Sequence, residues 1–258
     1  MTDPADRRPR PRWLGPGIAL TVLAILAGAL AILSPLFLRS EITDSVHNSV
    51  PSLLQIDADT LNGLDISPGE PGKISIERTV RWALTRPEIT EEWTDGTLRL
   101  RVHCPTRIGA CDASYTLRIP PTTHLKIRAS TAPITVTALT GTLDLTTDTG
   151  SIMARDITGP ITAKVRTGTI DLTNATSPTT QAEAQVGDLT LHFTNPPQSV
   201  HATTTTGNIQ IHLPPDTYQL DAQTSTGTPR STIPHTPDAP RTIHASTTAG
   251  NISIDSLP

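Results

Sequence analysis

A glycine followed by alternating aliphatic residues returns through the second half of this sequence and constrains its fold more than any other feature. Gly168-Thr-Ile-Asp-Leu and Gly207-Asn-Ile-Gln-Ile are clear copies. Ala132 occupies the glycine position of the first copy, 18 residues before Gly150. Later copies begin 18 to 23 residues apart, which indicates a repeat of about seven units. The repeat glycines are Gly141, Gly150, Gly159, Gly168, Gly187, Gly207, Gly227 and Gly250.

Alternation along each copy places aliphatic and polar side chains on opposite faces of a strand. In one copy, Ile170 and Leu172 share a face and Asp171 lies on the other. A weaker apolar strand lies between successive copies, so each unit contains two strands and two turns. Such a unit cannot bury its own apolar face, and its neighbours must stack on it. We predict an all-β fold, a single-stranded β-solenoid or β-roll of about seven coils over residues 125–258. A β-sandwich with antiparallel strands is the alternative.

Glycine and threonine recur at the start of each copy for different physical reasons. Glycine fits a corner at which the backbone needs a positive φ. Threonine precedes glycine at Thr149, Thr167 and Thr206, among others, and stacked threonines can hydrogen-bond between neighbouring coils. Aromatic residues make up only 3% of the chain, which indicates the thin aliphatic core of a solenoid.

An arginine-rich start and a long apolar run precede the repeat. The run at 13–38 has no charged side chain and exceeds the roughly 20 residues that a membrane helix needs. Four arginines precede it and only Arg39 follows closely, which places the amino terminus in the cytoplasm. We predict a cytoplasmic tail at 1–12, a transmembrane helix at 13–38 and a stalk at 39–51. A cleaved signal peptide is the alternative, although its apolar core is usually about 7 to 15 residues long.

Residues 52–124 lack the repeat and have the pattern of irregular strands. Asp95-Gly96 between two of these strands predicts a β-hairpin turn. Because the open end of a solenoid needs a cover, we expect this segment to form an N-terminal β cap. Core packing is the expected role of its largest side chains, which are Trp82, Trp93 and Tyr115.

The two cysteines, Cys104 and Cys111, bracket a short loop. In an oxidising space we expect them to form a disulfide that fixes a turn between two strands and stabilises the fold by at most about 3 kcal/mol. Redox or metal chemistry would need a closer motif or further ligands, so a structural role is the favoured interpretation.

Two stretches share the signature Thr-x-Thr-Gly-x-Ile, namely Thr147-Asp-Thr-Gly-Ser-Ile and Thr204-Thr-Thr-Gly-Asn-Ile. Together with the late segment at 213–227, they resemble the bacterial putative-adhesin family of β-strand-repeat domains. The resemblance covers roughly residues 60–257, and members of the family often carry an amino-terminal membrane helix. It implies a fold and a membrane-anchored arrangement, and it supplies no catalytic residues.

One cluster of charged residues can be compared with the catalytic acids and bases of enzymes built on β-helices. Polysaccharide lyases and hydrolases need acids and bases that converge on adjacent coils. The best cluster contains Arg155, Asp156, Lys164, Arg166 and Asp171, with Lys164 and Arg166 expected to point outward beside Asp171. No neighbouring coil repeats the acids, so surface ion pairing is the simpler interpretation. A polysaccharide lyase or glycosidase is the alternative function.

Histidine offers a candidate metal site. His192 and His212 each lie five residues after a repeat glycine, so their side chains could stack about 4.8 Å apart on adjacent coils. Two imidazoles at that spacing could share a metal, but no third ligand is in phase with them. The copies also lack the paired glycines and repeated aspartate of a calcium-binding β-roll. We therefore predict a solvated histidine pair and no metal or cofactor.

The sequence as a whole favours a binding or structural role. A formal charge of −4, a pI of about 6.0 and the lack of a basic patch give no reason to expect a nucleic-acid partner. We predict a single-pass protein of the cell membrane with a cytoplasmic amino terminus and an extracellular carboxy-terminal domain. Its expected function is non-enzymatic and adhesin-like, with an envelope protein or a glycan as partner, or else structural.

Overall fold

The structure is a computed structural model that describes residues 21, 23–25, 28, 39–105 and 110–257. It divides into two units, Met1–Arg39 and Ser40–Pro258. The predicted cytoplasmic tail lies outside the described residues, and so does the predicted transmembrane helix except at 21, 23–25 and 28. Within the described part of the chain, no helix is both long and apolar enough to cross a membrane.

The second unit is built from strands joined by short turns. The strands are β1 (Arg39–His47), β2 (Leu53–Thr60), β3 (Gly63–Pro68), β4 (Ile74–Trp82), β5 (Glu88–Thr94), β6 (Thr97–His103), β7 (Cys111–Ile119), β8 (His124–Thr131), β9 (Ile134–Thr137), β10 (Leu143–Thr149), β11 (Ile152–Arg155), β12 (Ile161–Thr167), β13 (Ile170–Ala175), β14 (Thr179–Val186), β15 (Leu189–Phe193), β16 (Ser199–Thr206), β17 (Ile209–Leu213), β18 (Gln219–Thr226), β19 (Pro229–Ser231), β20 (Thr242–Ala249) and β21 (Ile252–Ser256).

These strands form two sheets that face each other across one core. Sheet A runs in the order β1-β4-β7-β3-β9-β11-β13-β15-β17-β21-β19, and sheet B in the order β18-β20-β16-β14-β12-β10-β8-β2-β6-β5. From β8 onward each coil consists of one strand of sheet B followed by one of sheet A, and every pairing between coils is parallel. The all-β solenoid of two-strand coils is confirmed, and parallel pairing rules out the antiparallel β-sandwich.

The coils stack in register, so aliphatic residues form continuous rows inside the molecule. Leu143 of β10 lies opposite Ile161 of β12 in sheet B, and Ile152 of β11 lies opposite Ile170 of β13 in sheet A. All four are less than 5% exposed. Burying each such side chain contributes about 1.5 to 3 kcal/mol, and no coil could do so without its neighbours.

Glycine is required at one corner of the six coils from β10/β11 to β20/β21 because the backbones of successive coils nearly touch there. Gly187 has a φ of 150°, and a Cβ on it would lie 1.7 Å from the carbonyl oxygen of Gly168. The same positive φ recurs at Gly150, Gly168, Gly207, Gly227 and Gly250. At the opposite corner, a Cβ on Gly141 or Gly159 would lie 2.1 or 2.2 Å from a backbone oxygen. Thus the repeat glycines mark both turns of the coil.

The threonine that bonds between coils is not the one that immediately precedes glycine. Thr206 is exposed, whereas Thr204 is only 2% exposed and its Oγ1 donates to the Gly187 carbonyl oxygen at 3.1 Å. Thr247 makes the equivalent bond to the Gly207 carbonyl oxygen. The expectation for Thr149, Thr167 and Thr206 was wrong because the inward–outward alternation ends before the corner, which leaves the residue next to the glycine exposed.

The stack departs from sequence order at both ends. The coil β2/β3 lies between β6/β7 and β8/β9, and the coil β20/β21 lies between β16/β17 and β18/β19. Asp57 of β2 therefore lies in register with Arg99 on one side and Arg128 on the other. If β6 lay directly against β8 in this register, the two arginines would face each other, which is unfavourable. Residues 52–124 thus supply two parallel coils in addition to the predicted cap.

The end of the stack nearest the start of the chain is closed by antiparallel strands. β4 pairs antiparallel with β7, and β5 pairs antiparallel with β6. Asp95 and Gly96, with φ of 48° and 78°, form the predicted hairpin turn between β5 and β6. The predicted stalk at 39–51 instead contains β1, an edge strand beside β4. Its polar sequence gave no strand signal because an edge strand buries few side chains.

Candidate binding surfaces

The outward side of sheet B, called face B here, carries charges whose sign alternates from strand to strand. These side chains are exposed or half-buried. In stacking order they are Glu88 and Glu92 on β5, Arg99 and Arg101 on β6, Asp57 and Asp59 on β2, Lys126 and Arg128 on β8, Asp144 and Asp148 on β10, Lys164 and Arg166 on β12, and Glu183 on β14.

Opposite charges on neighbouring strands of face B pair with each other. Lys164 Nζ lies 2.8 Å from Glu183 Oε2, and Arg166 lies 3.1 Å from Asp148 Oδ1. The hydrogen bond from Lys164 is the main reason that the pKa of Glu183 lies below its usual value. Lys126 and Asp144 form a similar pair at 3.2 Å. Because the charges cancel within a few ångströms, face B presents little net field to a charged polymer.

The cluster considered for catalysis is divided between the two sheets. Lys164 and Arg166 lie on β12 in sheet B, whereas Asp171 lies on β13 and Arg155 on β11 in sheet A. Asp171 accepts a hydrogen bond from its neighbour Thr173 at 2.9 Å. The expectation that Lys164 and Arg166 point outward beside Asp171 was wrong, because the corner at Gly168 turns the chain from one sheet into the other.

The outward side of sheet A, called face A here, is narrower and mostly uncharged. Its strands between β9 and β21 are short, so each contributes two or three outward side chains. The exposed or half-buried members of this face are Thr135, Thr137, Met153, Arg155, Asp171, Thr173, Thr190, His192, Gln210, His212, Ser253 and Asp255. Hydroxyl and amide groups thus repeat at the spacing of the strands, about 4.8 Å.

The predicted histidine pair is present on face A. His192 and His212 lie in register on β15 and β17, with ring centroids 5.9 Å apart and the rings tilted by 45°. Asp255 lies level with His212 because β21 stacks on β17, a neighbour that sequence order does not reveal. Even so, no group of three metal-ligating side chains gathers anywhere in the described residues.

A second histidine pair, on face B, was not predicted. His201 and His244 stack with centroids 4.7 Å apart and an interplanar angle of 8°. His244 Nδ1 lies 2.8 Å from Asp221 Oδ2 on the next strand. The repeat offered no signal for this column, because β18 and β19 separate the two histidines in sequence and yet lie outside them in the stack.

A ladder of polar side chains joins successive coils at the corner after the repeat glycines. Asn208 N donates to Asp188 Oδ1 at 2.7 Å, and Asn251 N donates to Asn208 Oδ1 at 2.9 Å. Thr228 N continues the series by donating to Asn251 Oδ1 at 3.0 Å. The side-chain oxygens of Asp188, Asn208 and Asn251 thus satisfy backbone donors at the corner.

Aromatic and charged side chains close the antiparallel end of the stack. Tyr115 Oη donates to Glu91 Oε1 at 2.9 Å, and Arg78 also contacts Glu91. Burial and the charge of Glu91 raise the pKa of Tyr115 well above its ordinary range. Burial acts to lower the pKa of Arg78, but the hydrogen bond to Glu91, the charge of Glu91 and Tyr115 together outweigh burial and raise that pKa. Trp93 stacks on His47 at 4.8 Å, so β1 contributes to this closure.

The remaining predicted residues at this end have structural roles. Tyr115 is fully buried and Trp82 is 9% exposed, which confirms that they pack in the core. Trp93 packs against the core while partly buried. The disulfide between Cys104 and Cys111 is confirmed and joins the two ends of the turn between β6 and β7.

A cavity of 460 Å³ lies at the same end of the stack. It is lined by Val46, Pro68, Lys73 and Arg118, and by Glu70, which pairs with Lys73 at 2.9 Å.

Comparison with known proteins places this fold in a family. The family model described as Toastrack DUF4097 matches residues 122–255, more than half of the chain. This match spans the coils from β8 to β21. No curated protein sequence matches the chain.

Solved structures with low sequence identity share the architecture. A putative adhesin from Bacteroides fragilis has 16% identity and a TM-score of 0.54, with 84% of this chain and 97% of that chain covered. A putative adhesin from Parabacteroides merdae has 13% identity and a TM-score of 0.41, covering 85% and 97%. A putative lipid binding protein from Parabacteroides distasonis has 9% identity and a TM-score of 0.44, also covering 85% and 97%. At these identities the likeness to the Bacteroides fragilis protein shows the fold alone.

Proposed function

Because the chain belongs to the Toastrack DUF4097 family, we propose that it is a membrane-anchored, non-enzymatic binding protein of the bacterial envelope. Its β-repeat domain lies outside the cell and its amino terminus lies in the cytoplasm. The observation that carries this proposal is the pair of polar faces on a stack whose charged groups alternate in sign, with several of them paired across neighbouring strands. Such a surface suits adhesion or a structural contact better than catalysis.

The sequence before Arg39 supports the anchor. An uncharged run at 13–38 follows four arginines, which is the pattern of a single membrane helix with its start in the cytoplasm. The strand β1 begins at Arg39, so the β domain follows this run without a long linker. The disulfide suits an extracellular domain, because disulfides persist in oxidising compartments.

Face A is the surface that we propose for binding an envelope component. Its hydroxyl and amide side chains, such as Thr190 and Gln210, lie in register on adjacent strands and can donate and accept hydrogen bonds. Face B is the less suitable surface, since binding there would compete with ion pairs such as Lys164 with Glu183. A partner on face A would be recognised through hydrogen bonds rather than through charge.

The binding test uses the full chain in vesicles of phosphatidylcholine and phosphatidylglycerol, incubated with purified cell-wall polysaccharide. Thr190→Glu with Gln210→Glu changes two adjacent residues of face A and should abolish co-sedimentation. The matched control, Thr162→Glu with Gln181→Glu, makes the same changes on adjacent strands of face B and should leave it intact. Equal binding by both variants would exclude face A, and flotation of the vesicles tests the anchor separately.

Catalysis is tested in the same preparation. We expect no turnover of cell-wall or plant polysaccharides, because the candidate acids and bases are divided between two sheets and paired. Turnover that disappears in Asp171→Asn would instead establish a polysaccharide-processing enzyme.

A further inference from the structure

The side of β1 that faces away from the stack carries two exposed aliphatic side chains. Glu41 pairs with Arg86 at 2.7 Å, and His47 stacks on a tryptophan of β5, so their side of β1 packs against the stack. Because side chains alternate along a strand, Ile42 and Val46 point the opposite way, and they are 64% and 58% exposed. Exposed apolar surface gathered in one place is typical of a membrane or protein contact.

The cavity of 460 Å³ at this end of face A continues the same surface, since Val46 lines it. Ser75 on β4 and Arg118 on β7 also line it and lie directly opposite each other. Among the described residues, the guanidinium of Arg118 has no ion pair or hydrogen-bond partner. Lys73 pairs with Glu70 in the same lining, and both of these side chains are more than half exposed. The cavity thus combines an apolar wall with an unpartnered cation.

This lining matches the headgroup of a zwitterionic phospholipid. A guanidinium binds phosphate through two parallel N–H···O hydrogen bonds, and the hydroxyl of Ser75 can donate another. Carboxylates suit the ammonium group of such a headgroup, and Asp44 and Glu77 lie on the same side of sheet A as the cavity. Because acids and cations occur together here, a headgroup that carries both charges fits better than a purely anionic one.

The sequence places this surface beside the predicted membrane helix. Arg39, the first residue of β1, follows the run at 13–38 without a linker. Ile42 lies four residues beyond the end of that run, a chain reach of at most about 14 Å. The headgroup layer is about 5 to 8 Å deep on each side of a bilayer, so β1 begins within it or next to it.

We propose that the β1 side of face A rests on the membrane surface, with Ile42 and Val46 among the headgroups and Arg118 bound to the phosphate of a zwitterionic phospholipid such as phosphatidylethanolamine. This inference rests on the anchor of the proposed function. Thr190, on the part of face A proposed for the envelope partner, is seven strands from β1, or about 34 Å at 4.8 Å per strand. The two contacts therefore use separate parts of face A.

Spin labels on the full chain, in vesicles of phosphatidylethanolamine and phosphatidylglycerol, test the contact. Val46→Cys and the matched control Val186→Cys each replace a strand valine, 58% and 50% exposed. Labelling without reductant preserves the native disulfide. The label at position 46 should lose collisions with a water-soluble nickel chelate and gain collisions with oxygen dissolved in the lipid, whereas the label at position 186 should show the reverse. A label at Ile42→Cys should behave as the label at position 46 does.

Native mass spectrometry of the full chain, released from the same vesicles, tests the headgroup site. Arg118→Gln should lose one phosphatidylethanolamine adduct that the parent chain retains. Arg155→Gln, the same change on β11 of face A, should retain it. Unchanged urea midpoints verify the fold of both variants. An adduct with the mass of inorganic phosphate, in place of the lipid, would show an anion site and overturn the lipid assignment.

Two further results would overturn the proposal. One is equal access of the nickel chelate to the labels at positions 46 and 186, and the other is a set of lipid adducts that Arg118→Gln leaves unchanged. Extraction of the same vesicles with sodium carbonate reads the anchor independently. Release of the chain by carbonate would overturn the anchor of the proposed function, a result distinct from a label that lies in water on a chain that carbonate does not release.

Discussion

Buried threonines show how a single hydroxyl holds neighbouring coils together. Thr204 is almost fully buried, and its Oγ1 donates to the Gly187 carbonyl oxygen, next to the point at which the two coils come closest. Valine has nearly the same shape as threonine and would fill the space. The Gly187 carbonyl oxygen would then lose the hydrogen bond from residue 204. The threonine two positions later, Thr206, is exposed and makes no such bond to a neighbouring coil.

We expect Thr204→Val to lower the free energy of unfolding by about 1 to 2 kcal/mol, the cost of losing a buried hydrogen bond. Thr206→Val, the matched change at the exposed position, should alter it by less than about 0.5 kcal/mol. Urea unfolding followed by circular dichroism measures both. Equal effects of the two substitutions would contradict the assigned roles.

At the scale of strands and coils, the sequence predicts the structure of the middle of the stack better than that of its ends. Alternation around residues such as Ile170 and Leu172 predicted the strands, their buried faces and the corner glycines. The positions of β2 and β20 were not predicted, because a repeat indicates which coils are alike and does not indicate which coils touch. The histidine column of His201 and His244 was missed for the same reason.

Charge supplies part of the missing information about coil order. Asp57 lies between Arg99 and Arg128, and it makes the insertion of β2 between two basic strands favourable. The sign of the charge on each strand became informative only once the order of strands was known, since β5, β6, β2, β8 and β10 are not consecutive in sequence.

We expect Asp57→Lys to destabilise the molecule by about 1 to 2 kcal/mol, because it places three cations in one row. Asp65→Lys makes the same change on β3 of the same coil, where the neighbours in register are Thr116 and Thr135, and should have little effect. Thermal unfolding at low salt and at 1 M NaCl tests the cause, since salt should reduce the difference. A difference that persists unchanged in salt would refute the electrostatic explanation.

At the scale of the whole molecule, ion pairs and hydrogen bonds spread along the stack make stability depend on pH. The pKa of Glu183 is lowered chiefly by Lys164, and that of Asp221 chiefly by the hydrogen bond from Gln223. A carboxyl group whose pKa is lower in the folded state stabilises the fold above its unfolded pKa. That contribution is lost as pH falls through the folded value.

The urea midpoint should therefore stay nearly constant from about pH 7 to pH 5 and fall below about pH 4.5, as these carboxylates become protonated. The variant that combines Glu183→Gln with Asp221→Asn should lose less stability between pH 5 and pH 3 than the parent chain does. A parent chain whose midpoint rises on acidification would show the opposite linkage and contradict this assignment.

The displaced order of the last two coils has a consequence for truncation and for biosynthesis. Deleting β20 and β21 would not shorten the solenoid from its tip, because it would remove an interior layer and leave β18 and β19 without the neighbours to which they bond. The position of that layer stays vacant until β20 and β21 have been synthesised. A nascent chain thus builds this part of the stack by inserting a later segment beneath one already synthesised.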